Sequence, residues 1–440
     1  MKLSFFLSLY LCTFCFGEVA VGAANHYVLA GASGSANGSD WTNAFKTLPA
    51  NLIRGDTYYI GVGSYPAYTF DDAHSGTLVI TIKKATLGDH GTEVGWQTSY
   101  AAQAVFNSIL RFLNGYYLFD GQVRNESNWF DGPSYGFRVD HNNQDQNINI
   151  FNQAAPTPNI TIKHVYINSQ VGNLPNITIA RYSVSTDTQG GPINTGLVFS
   201  RMFVNGSNNV WFLRTTDGAI LEYSASQNAD GNSANHGEIV NLYYSSNNAI
   251  IRYNIFRDEY VPNGSTAMIA ITAGTQSVKI YGNVFSNFRS GDGAIGYIGS
   301  TTANSMVYNN TIDSCNSSTG GSGGIQLANS PTNLIYNNIW TNCGSISFSG
   351  AHDYNAFPDS NAHGESNAQL NVPTSIFMDY AGRDFRLKSQ TTAGITLLSP
   401  FNIDLLGFTR GASGAWSRGA FQFINGTFVK PMAPIGLKIQ

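Results

Sequence analysis

Four segments of the chain align without gaps: AIIRYNIF (249–256), KIYGNVF (279–285), MVYNNTI (306–312) and LIYNNIW (334–340). They share an asparagine at positions 254, 283, 310 and 338, so the steps along the chain are 29, 27 and 28 residues. Three positions before each asparagine stands an aliphatic residue, namely Ile251, Ile280, Val307 and Ile335. Because side chains alternate between the two faces of a strand, this pattern places the aliphatic residue on one face and the next residue on the other.

A strand-rich unit of this length is typical of a solenoid whose parallel strands stack about 4.8 Å apart. Equivalent positions then form columns, and buried asparagine side chains in one column can hydrogen-bond from coil to coil. Helical repeats need a period of 3.6 and few glycines, and this chain contains 46 glycines. Looser coils extend the array upstream: DTYYIGVGSY, TLVITIKKA, GYYLFDG, NITIKHVYI, GLVFSRMFV and GAILEYSAS. The sequence therefore predicts an all-β parallel β-helix of roughly ten coils.

Composition and the N-terminus predict an exported protein. The 440 residues carry a net charge of −4 with no basic excess, which argues against a nucleic-acid partner. Lys2 is followed by an apolar run over 3–16 and by the small residues of 21–24, the pattern of a secretory signal peptide covering 1–24. This run is too short to span a membrane, and no later segment is long and apolar enough. We expect a secreted monomer without a membrane span.

Both ends of the mature chain resemble the secreted right-handed parallel β-helix proteins of the pectate-lyase-like superfamily. The opening HYVLAGASGSANGSDWTNAFKTL (26–48), followed by GDTYYIGVGSY (55–65), is similar to the start of many such proteins. The tail SPFNIDLLGFTRGASGAWSRGAFQF (399–423) is similar to their closing segment, with Arg410 and the Gly419-Ala420-Phe421 ending. The resemblance implies a right-handed β-helix with its N-terminal cap over 25–354, a C-terminal capping segment over 355–430 and an exposed tail over 431–440.

For activity the resemblance implies several alternatives, because the superfamily contains lyases, hydrolases, epimerases, phage spikes and adhesins. The Arg-x-Pro-Arg stretch of its pectate lyases is absent from this sequence. Of the polygalacturonase motifs only a lone Asp71-Asp72 is present. The remaining hypothesis is a lyase- or epimerase-like reaction on an extracellular acidic polysaccharide. The alternative is a non-catalytic cell-surface or glycan-binding protein.

The candidate catalytic residues lie where a long polar loop, 224–235, enters a strand. His236 and Glu238 stand two residues apart there, and Asp230 lies in the loop. His236 would act as general base or acid, while Glu238 and Asp230 would orient it or bind Ca²⁺, which prefers carboxylate and carbonyl oxygens. "HGE" before a β-helix strand also resembles such segments of β-helix epimerases and lyases. The alternative is structural: His236 and Glu238 hydrogen-bond to the backbone and pin the loop.

Cationic and aromatic residues could contact an anionic sugar. Arg252 is a third candidate catalytic residue, and Arg214, Lys163 and Tyr281 are candidate substrate-binding residues. Three of these residues, Tyr281, Lys163 and Arg252, have a structural alternative. Tyr281 belongs to a column with two further tyrosines that would stabilise stacked coils, and Lys163 and Arg252 fall with Glu222 in an ion-pair ladder.

Two cysteines occupy the same place in consecutive coils. Cys315 follows Asn310 by five residues, and Cys343 follows Asn338 by five. Stacked positions lie about 4.8 Å apart, within the Cα separation of a disulfide, and export makes oxidation plausible. The alternative is a stacked pair of buried, reduced thiols.

Overall fold

The computed structural model describes residues 23–74, 76–141, 145–171, 178–186, 191–230, 237–259, 267–272, 274–289, 293–298, 303–315, 324–328, 330–343, 346–412 and 414–425. Within these ranges the chain passes repeatedly through three parallel sheets, A, B and C, in that order, and completes ten such turns. The prediction of a right-handed parallel β-helix of roughly ten coils is confirmed.

The three sheets are built from short strands. Sheet A contains Asn25–Val28, Thr57–Ile60, Ile80–Lys84, Tyr117–Asp120, Ile160–Lys163, Val198–Ser200, Ile220–Glu222, Ile250–Arg252, Lys279–Tyr281, Met306–Tyr308, Leu334–Tyr336 and Ala351–Asp353. Sheet B contains Gly63–Tyr65, Ala104–Phe106, Phe137–Asp140, Val165–Asn168, Phe203–Asn205, Ala225–Gln227, Ile255–Glu259, Val284–Phe288, Thr311–Cys315 and Ile339–Thr341. Sheet C contains Tyr68–Phe70, Leu110–Phe112, Gln146–Ile150, Tyr182–Ser185, Asn209–Arg214, Val240–Tyr243, Ile269–Thr272, Ile295–Ile298, Ile325–Gln326 and Phe348–Ser349.

Smaller elements lie outside the three sheets of the β-helix. Antiparallel pairs join Gln170–Val171 to Thr178–Ile179 and Phe377–Asp379 to Asp384–Leu387, and a parallel pair joins Asn194–Thr195 to Thr216–Asp217. Three short 3₁₀ helices lie at Thr98–Ala101, Gly132–Ser134 and Thr374–Ile376. No described helix is long and apolar enough to cross a lipid bilayer.

The corner from sheet A to sheet B explains why asparagine recurs. In six successive coils the first corner residue adopts a left-handed conformation, with φ between 49° and 67°: Arg201, Tyr223, Tyr253, Gly282, Asn309 and Asn337. This conformation turns the chain within two residues, although it is unfavourable for most L-amino acids. From the third of these coils onward, the second corner residue is a buried asparagine, whose amide satisfies the backbone groups that the sharp turn leaves unpaired.

The predicted asparagine column is confirmed. Asn283 and Asn310 are fully buried, and the Asn283 side chain donates to Oδ1 of Asn310 at 3.0 Å. The same contact links Asn254 to Asn283 and Asn310 to Asn338, at 3.0 and 2.9 Å. The column continues to Asn355, whose backbone N–H donates to the Glu365 carboxylate at 2.9 Å.

The core lies between the sheets, as the alternation predicts. Ile251, Ile280, Val307 and Ile335 are each at most 1% exposed and belong to one hydrophobic cluster that runs along the helix. A disulfide joins Cys315 to Cys343 across consecutive coils, with Cα atoms 4.8 Å apart.

The C-terminal segment does more than close the last coil. It returns along the A–B corner, where Trp416 donates to Oδ1 of Asn309 at 3.2 Å and the Gly419 N–H donates to the Asn337 carbonyl at 2.7 Å. Its hairpin reaches sheet B, where the Tyr380 hydroxyl donates to Asp313 at 2.8 Å. The predicted tail over 431–440 and all but the last two residues of the predicted signal peptide lie outside the described residues.

Candidate functional site

Two predicted sugar-contact residues, Lys163 and Tyr281, and the candidate catalytic residue Arg252 stand on the outer face of sheet A. Lys163 pairs with Asp120 at 3.1 Å, and Arg252 pairs with Glu222 at 2.6 Å. Burial alone would lower the pKa of Arg252, but Tyr281 and Glu222 outweigh it and raise that pKa above its ordinary value. The pair of Glu222 with Arg252 belongs to the ion-pair ladder that the sequence offered as an alternative, whereas Lys163 pairs with Asp120 and not with Glu222.

Tyr281 does not face solvent. It is 1% exposed, its hydroxyl accepts a hydrogen bond from Arg252 at 3.1 Å, and the ring of Phe401 packs edge-on against it at 4.9 Å. Phe401 packs against Tyr308 in the same way, at 4.8 Å. Since the C-terminal segment covers this part of the column, its tyrosines stabilise the packing rather than present a sugar-stacking surface.

The predicted acid–base residues fall at the entry of sheet C. His236 lies outside the described residues, and its role stays a prediction. Glu238 is 1% exposed, and its carbonyl accepts the N–H of Val210 at 3.0 Å. The Asp230 N–H donates to the carbonyl of Ser207 at 3.0 Å, and burial raises the pKa of the Asp230 carboxyl.

The strand register separates Glu238 from its proposed cationic partners. Trp211 pairs with Val240 and Arg214 with Tyr243, so Arg214 stands five residues further along sheet C than Glu238. At 3.3 Å per residue that is about 16 Å. Arg252 lies on a different sheet. Neither arginine is therefore brought beside Glu238. Among the described residues, no group of three or more His, Cys, Asp and Glu side chains is placed to hold a metal ion.

Sheet C instead presents an outer row of aromatic rings that the sequence analysis did not single out. Tyr182 stacks on Phe212 with ring centroids 4.5 Å apart, and Phe212 lies 5.3 Å from Tyr243. Tyr243 meets Tyr244 edge-on at 4.4 Å. We call these four residues the aromatic strip. Tyr244 is 49% exposed and Tyr243 is partly exposed, whereas Tyr182 and Phe212 are buried, at 6% and 7% exposed.

Arginines accompany the strip at both ends. The Arg214 guanidinium lies over the rings of Tyr243 and Tyr244 at 5.2 and 5.3 Å. The Arg181 guanidinium lies over Tyr182 at 4.9 Å. Aromatic faces bind the apolar face of a sugar ring, and guanidinium groups bind carboxylates, so the strip combines the two chemistries that an acidic glycan requires. Of the predicted site residues, Arg214 is the one that the structure places here.

Alternation within the strands could have revealed the strip. Trp211, Leu213, Val240 and Leu242 are inward core residues. Residues at the intervening positions must then point outward. Applied to WFLR and VNLY, this rule places Phe212, Arg214 and Tyr243 on the outer face.

Comparisons with known proteins agree with the architecture. No family model and no curated protein matches the chain. Among solved structures, the pectate lyase Pel9A is 14% identical, with a TM-score of 0.53 over 91% of this chain and 96% of that one. The PL6 family alginate lyase AlyGC is 16% identical, with a TM-score of 0.34 over 73% of this chain and 47% of that one. The GH136 lacto-N-biosidase from Eubacterium ramulus is 8% identical, with a TM-score of 0.37 over 79% and 68%.

At such low sequence identity, structural similarity shows the fold of the chain and not its activity. The likeness to Pel9A, which extends over nearly the whole of both chains, confirms the resemblance to pectate-lyase-like β-helix proteins at the level of the fold. The other two likenesses are too distant to carry an argument.

Proposed function

We propose that the protein is secreted and binds an acidic polysaccharide along the outer face of sheet C. The observation that carries this proposal is the aromatic strip flanked by Arg214 and Arg181. A glycan lying along the strip would stack a sugar ring on Tyr243 or Tyr244, the accessible tyrosines, while its carboxylates meet the guanidinium groups. A β-helix fold shared with a pectate lyase is consistent with such a ligand.

We further propose that the bound glycan undergoes a lyase- or epimerase-type reaction at uronate residues. A base takes the C5 proton, and an arginine stabilises the charge that develops on the carboxylate. In a lyase the C4–O bond then breaks and its electron pair leaves with the oxygen, which takes a proton from solvent. In an epimerase a proton returns to the opposite face of C5. His236 is the proposed base, and no arginine is assigned as the carboxylate partner, because neither Arg214 nor Arg252 is brought beside Glu238.

Calcium bound through Asp230 and Glu238 stays a proposal. Carboxylate oxygens suit Ca²⁺, but the ion takes six to eight oxygen ligands. The described residues supply two carboxylates from this region and no group that completes such a set. We therefore derive no reaction step through calcium, and the effect of EDTA on activity tests its participation.

One observation favours the second candidate function, non-catalytic glycan binding. Glu238 is buried, and Arg214 stands about 16 Å further along sheet C. A base and the cation that acidifies its proton must both meet one sugar residue. The described geometry therefore supports binding more strongly than turnover.

The decisive experiment measures binding and turnover on the same panel of alginate, pectin, a heparin-like glycan and a neutral glucan. Affinity electrophoresis follows binding, and ultraviolet absorbance follows unsaturated products, with and without EDTA. Binding to acidic members that Arg214→Ala weakens about tenfold supports the proposal, since a charged hydrogen bond contributes that much.

Lys388→Ala, which removes an exposed charge from the C-terminal segment, is the matched control and should leave affinity unchanged. Product formation abolished by His236→Ala establishes the reaction. Binding without any product, and without any change in C5 configuration, establishes the non-catalytic function. Absence of binding to every acidic glycan refutes both.

A further inference from the structure

A cavity of about 480 Å³ lies on the outer face of sheet B, away from the aromatic strip. One wall is the loop 124–130, which follows a sheet A strand, and the opposite wall is the hairpin of the C-terminal segment. Its volume is within the range of about 300–1,000 Å³ that small-molecule sites occupy. Five arginines line it: Arg124, Arg201, Arg257, Arg383 and Arg386.

The first two arginines share one carboxylate. Glu126 accepts two hydrogen bonds from Arg124, at 3.0 and 3.1 Å, and lies 3.7 Å from the guanidinium of Arg201. Burial alone would raise the pKa of Glu126, but the two arginines outweigh it and lower that pKa, so the group is ionised near neutral pH. One negative charge therefore faces two positive charges on this wall.

The opposite side repeats the arrangement. Asp258 pairs with Arg383 at 2.8 Å and with Arg257 at 3.5 Å. Against the tendency of burial to raise it, the pKa of Asp258 is lowered, chiefly by the hydrogen bond from Arg383. Asp384 pairs with the fifth arginine, Arg386, at 2.7 Å. Five guanidinium groups thus face three carboxylates, and Asp313 of sheet B acts on Arg383 as a fourth, which leaves an excess of one positive charge.

The histidine next to this wall does not change that balance. His164 occupies the A–B corner one coil before Arg201 and contacts Asp120 through Nδ1 at 2.8 Å. Burial, and the charges of Arg201 and Arg124, lower the pKa of His164 despite the raising effect of Asp120. The imidazole is therefore neutral near pH 7, and Asp120 is balanced by Lys163 at 3.1 Å.

Such a concentration of charge is unusual in this chain. The protein has 23 lysine and arginine residues and a net charge of −4, yet five of those residues surround one cavity. Ion pairs with a purely structural role would need only as many arginines as carboxylates around the cavity. An excess that is held between two walls concentrates positive potential where an anion can enter.

The other residues that line the cavity form a surface on which the ring of a small ligand could pack. Trp129 and Phe130 enter the wall that carries Arg124, and the Arg124 guanidinium lies 4.1 Å from the Trp129 ring centroid. Ile255 and Val284 of sheet B form an apolar floor. Aromatic and aliphatic surfaces beside convergent guanidinium groups bind a small ring that carries an anionic substituent.

We propose that this cavity is a second glycan site, which binds one sugar residue bearing a carboxylate or a sulfate ester. The anionic substituent meets Arg201 and Arg257, whose ion pairs are the longest of the five, and the ring lies against Trp129 and the apolar floor. The site is on sheet B and needs no contact with sheet C, so it does not depend on the aromatic strip.

The test is isothermal titration calorimetry with single sugars that are too short to span both sites: glucuronate, galacturonate, glucose 6-sulfate and neutral glucose. At least one acidic sugar should bind and glucose should not. Which acidic sugar binds distinguishes a carboxylate ligand from a sulfate ester. Binding of glucose with equal affinity, or of no acidic sugar, overturns the proposal.

Two variants at the proposed anion contacts locate the site. Arg201→Gln and Arg257→Gln should each weaken binding about tenfold, the contribution of one charged hydrogen bond. Gln122 already adopts a left-handed conformation in this chain, so the backbone of residue 201 tolerates glutamine. Circular dichroism checks that each variant is folded, and having variants at two separate positions guards against local misfolding at either one.

Arg111→Gln, at an exposed arginine outside both proposed sites, is the matched control and should leave the affinity for single acidic sugars unchanged. If Arg214→Gln weakens their binding while both cavity variants bind normally, the site is on sheet C and the cavity proposal is wrong. The polysaccharide assay above reports on sheet C independently, so the two proposals fail separately.

Discussion

Replacing Asn310 with Leu removes the middle rung of the buried asparagine column. Its Nδ2 group donates to the carbonyl of Ile280 at 3.1 Å and to Oδ1 of Asn338 at 2.9 Å. Its Oδ1 atom accepts from the backbone N–H and the side-chain amide of Asn283, at 2.9 and 3.0 Å. All four contacts are buried, and leucine can make none of them.

The magnitude follows from what is left unpaired. The Asn283 N–H loses its acceptor inside the protein, which costs about 1–3 kcal/mol, and the other lost bonds cost about 0.5–1.5 kcal/mol each. Asn338 retains the backbone N–H of residue 310 as a donor. Leucine is of similar size and more apolar, which offsets part of the loss. We expect a net loss of about 2–3 kcal/mol in the free energy of unfolding.

Equilibrium urea unfolding, followed by circular dichroism, measures this loss as a lower midpoint. Asn107→Leu is the control because Asn107 is exposed and lies outside the column. A surface substitution of this kind changes stability by about 0.5 kcal/mol or less. If the two variants unfold at the same urea concentration, the amide column does not stabilise the stacking of the coils and the reasoning fails.

Three further outcomes are expected. Mass spectrometry of the non-reduced protein should show Cys315 joined to Cys343, and reduction should cost about 3–4 kcal/mol for a loop of this length; free thiols at both positions would contradict this. The folded-state pKa of Asp258 lies below its unfolded value of about 3.8, so its stabilisation is complete above that pH and is lost as pH falls below it. Asp258→Asn should therefore lower the melting temperature at pH 6 more than at pH 3, and an equal loss at both would refute the pairing with Arg383. Phe401→Ala should cost about 2–4 kcal/mol in urea unfolding by exposing the tyrosines it covers, and an unchanged midpoint would show that the C-terminal segment does not depend on this contact.

The predictable parts of the structure are those in which the repeat length of the sequence shows which residues contact each other in successive coils. The four aligned segments identified the buried aliphatic residues, the asparagine column and the facing positions of Cys315 and Cys343. Stacking requires equivalent residues of successive coils to meet, so a step of 27–29 residues is a direct record of spatial contact. The upstream coils were recognisable only loosely, because insertions over 85–103 and 121–136 interrupt the step between sheets A and B.

The candidate sites depended on contacts that no period records. The alternation within each strand shows which residues point outward. Which of these outward columns remain exposed to solvent depends on the C-terminal segment, which packs back onto the helix from far along the chain. Tyr281 was predicted to contact sugar and is covered by Phe401, 120 positions later. Arg252 and Lys163 were assigned to ligands and are held in ion pairs.

The arginine-lined cavity makes the same point. Its residues come from positions 124, 201, 257, 383 and 386, and no spacing relates them. Stacking places the first three on every second coil along the same side of the β-helix, and the hairpin of the C-terminal segment adds the last two. By itself the sequence determined the repeating fold, because each coil encodes its contacts with the next. The tertiary structure alone decided which outer surfaces stay open and which charges converge, because those contacts join segments that share no periodic relation.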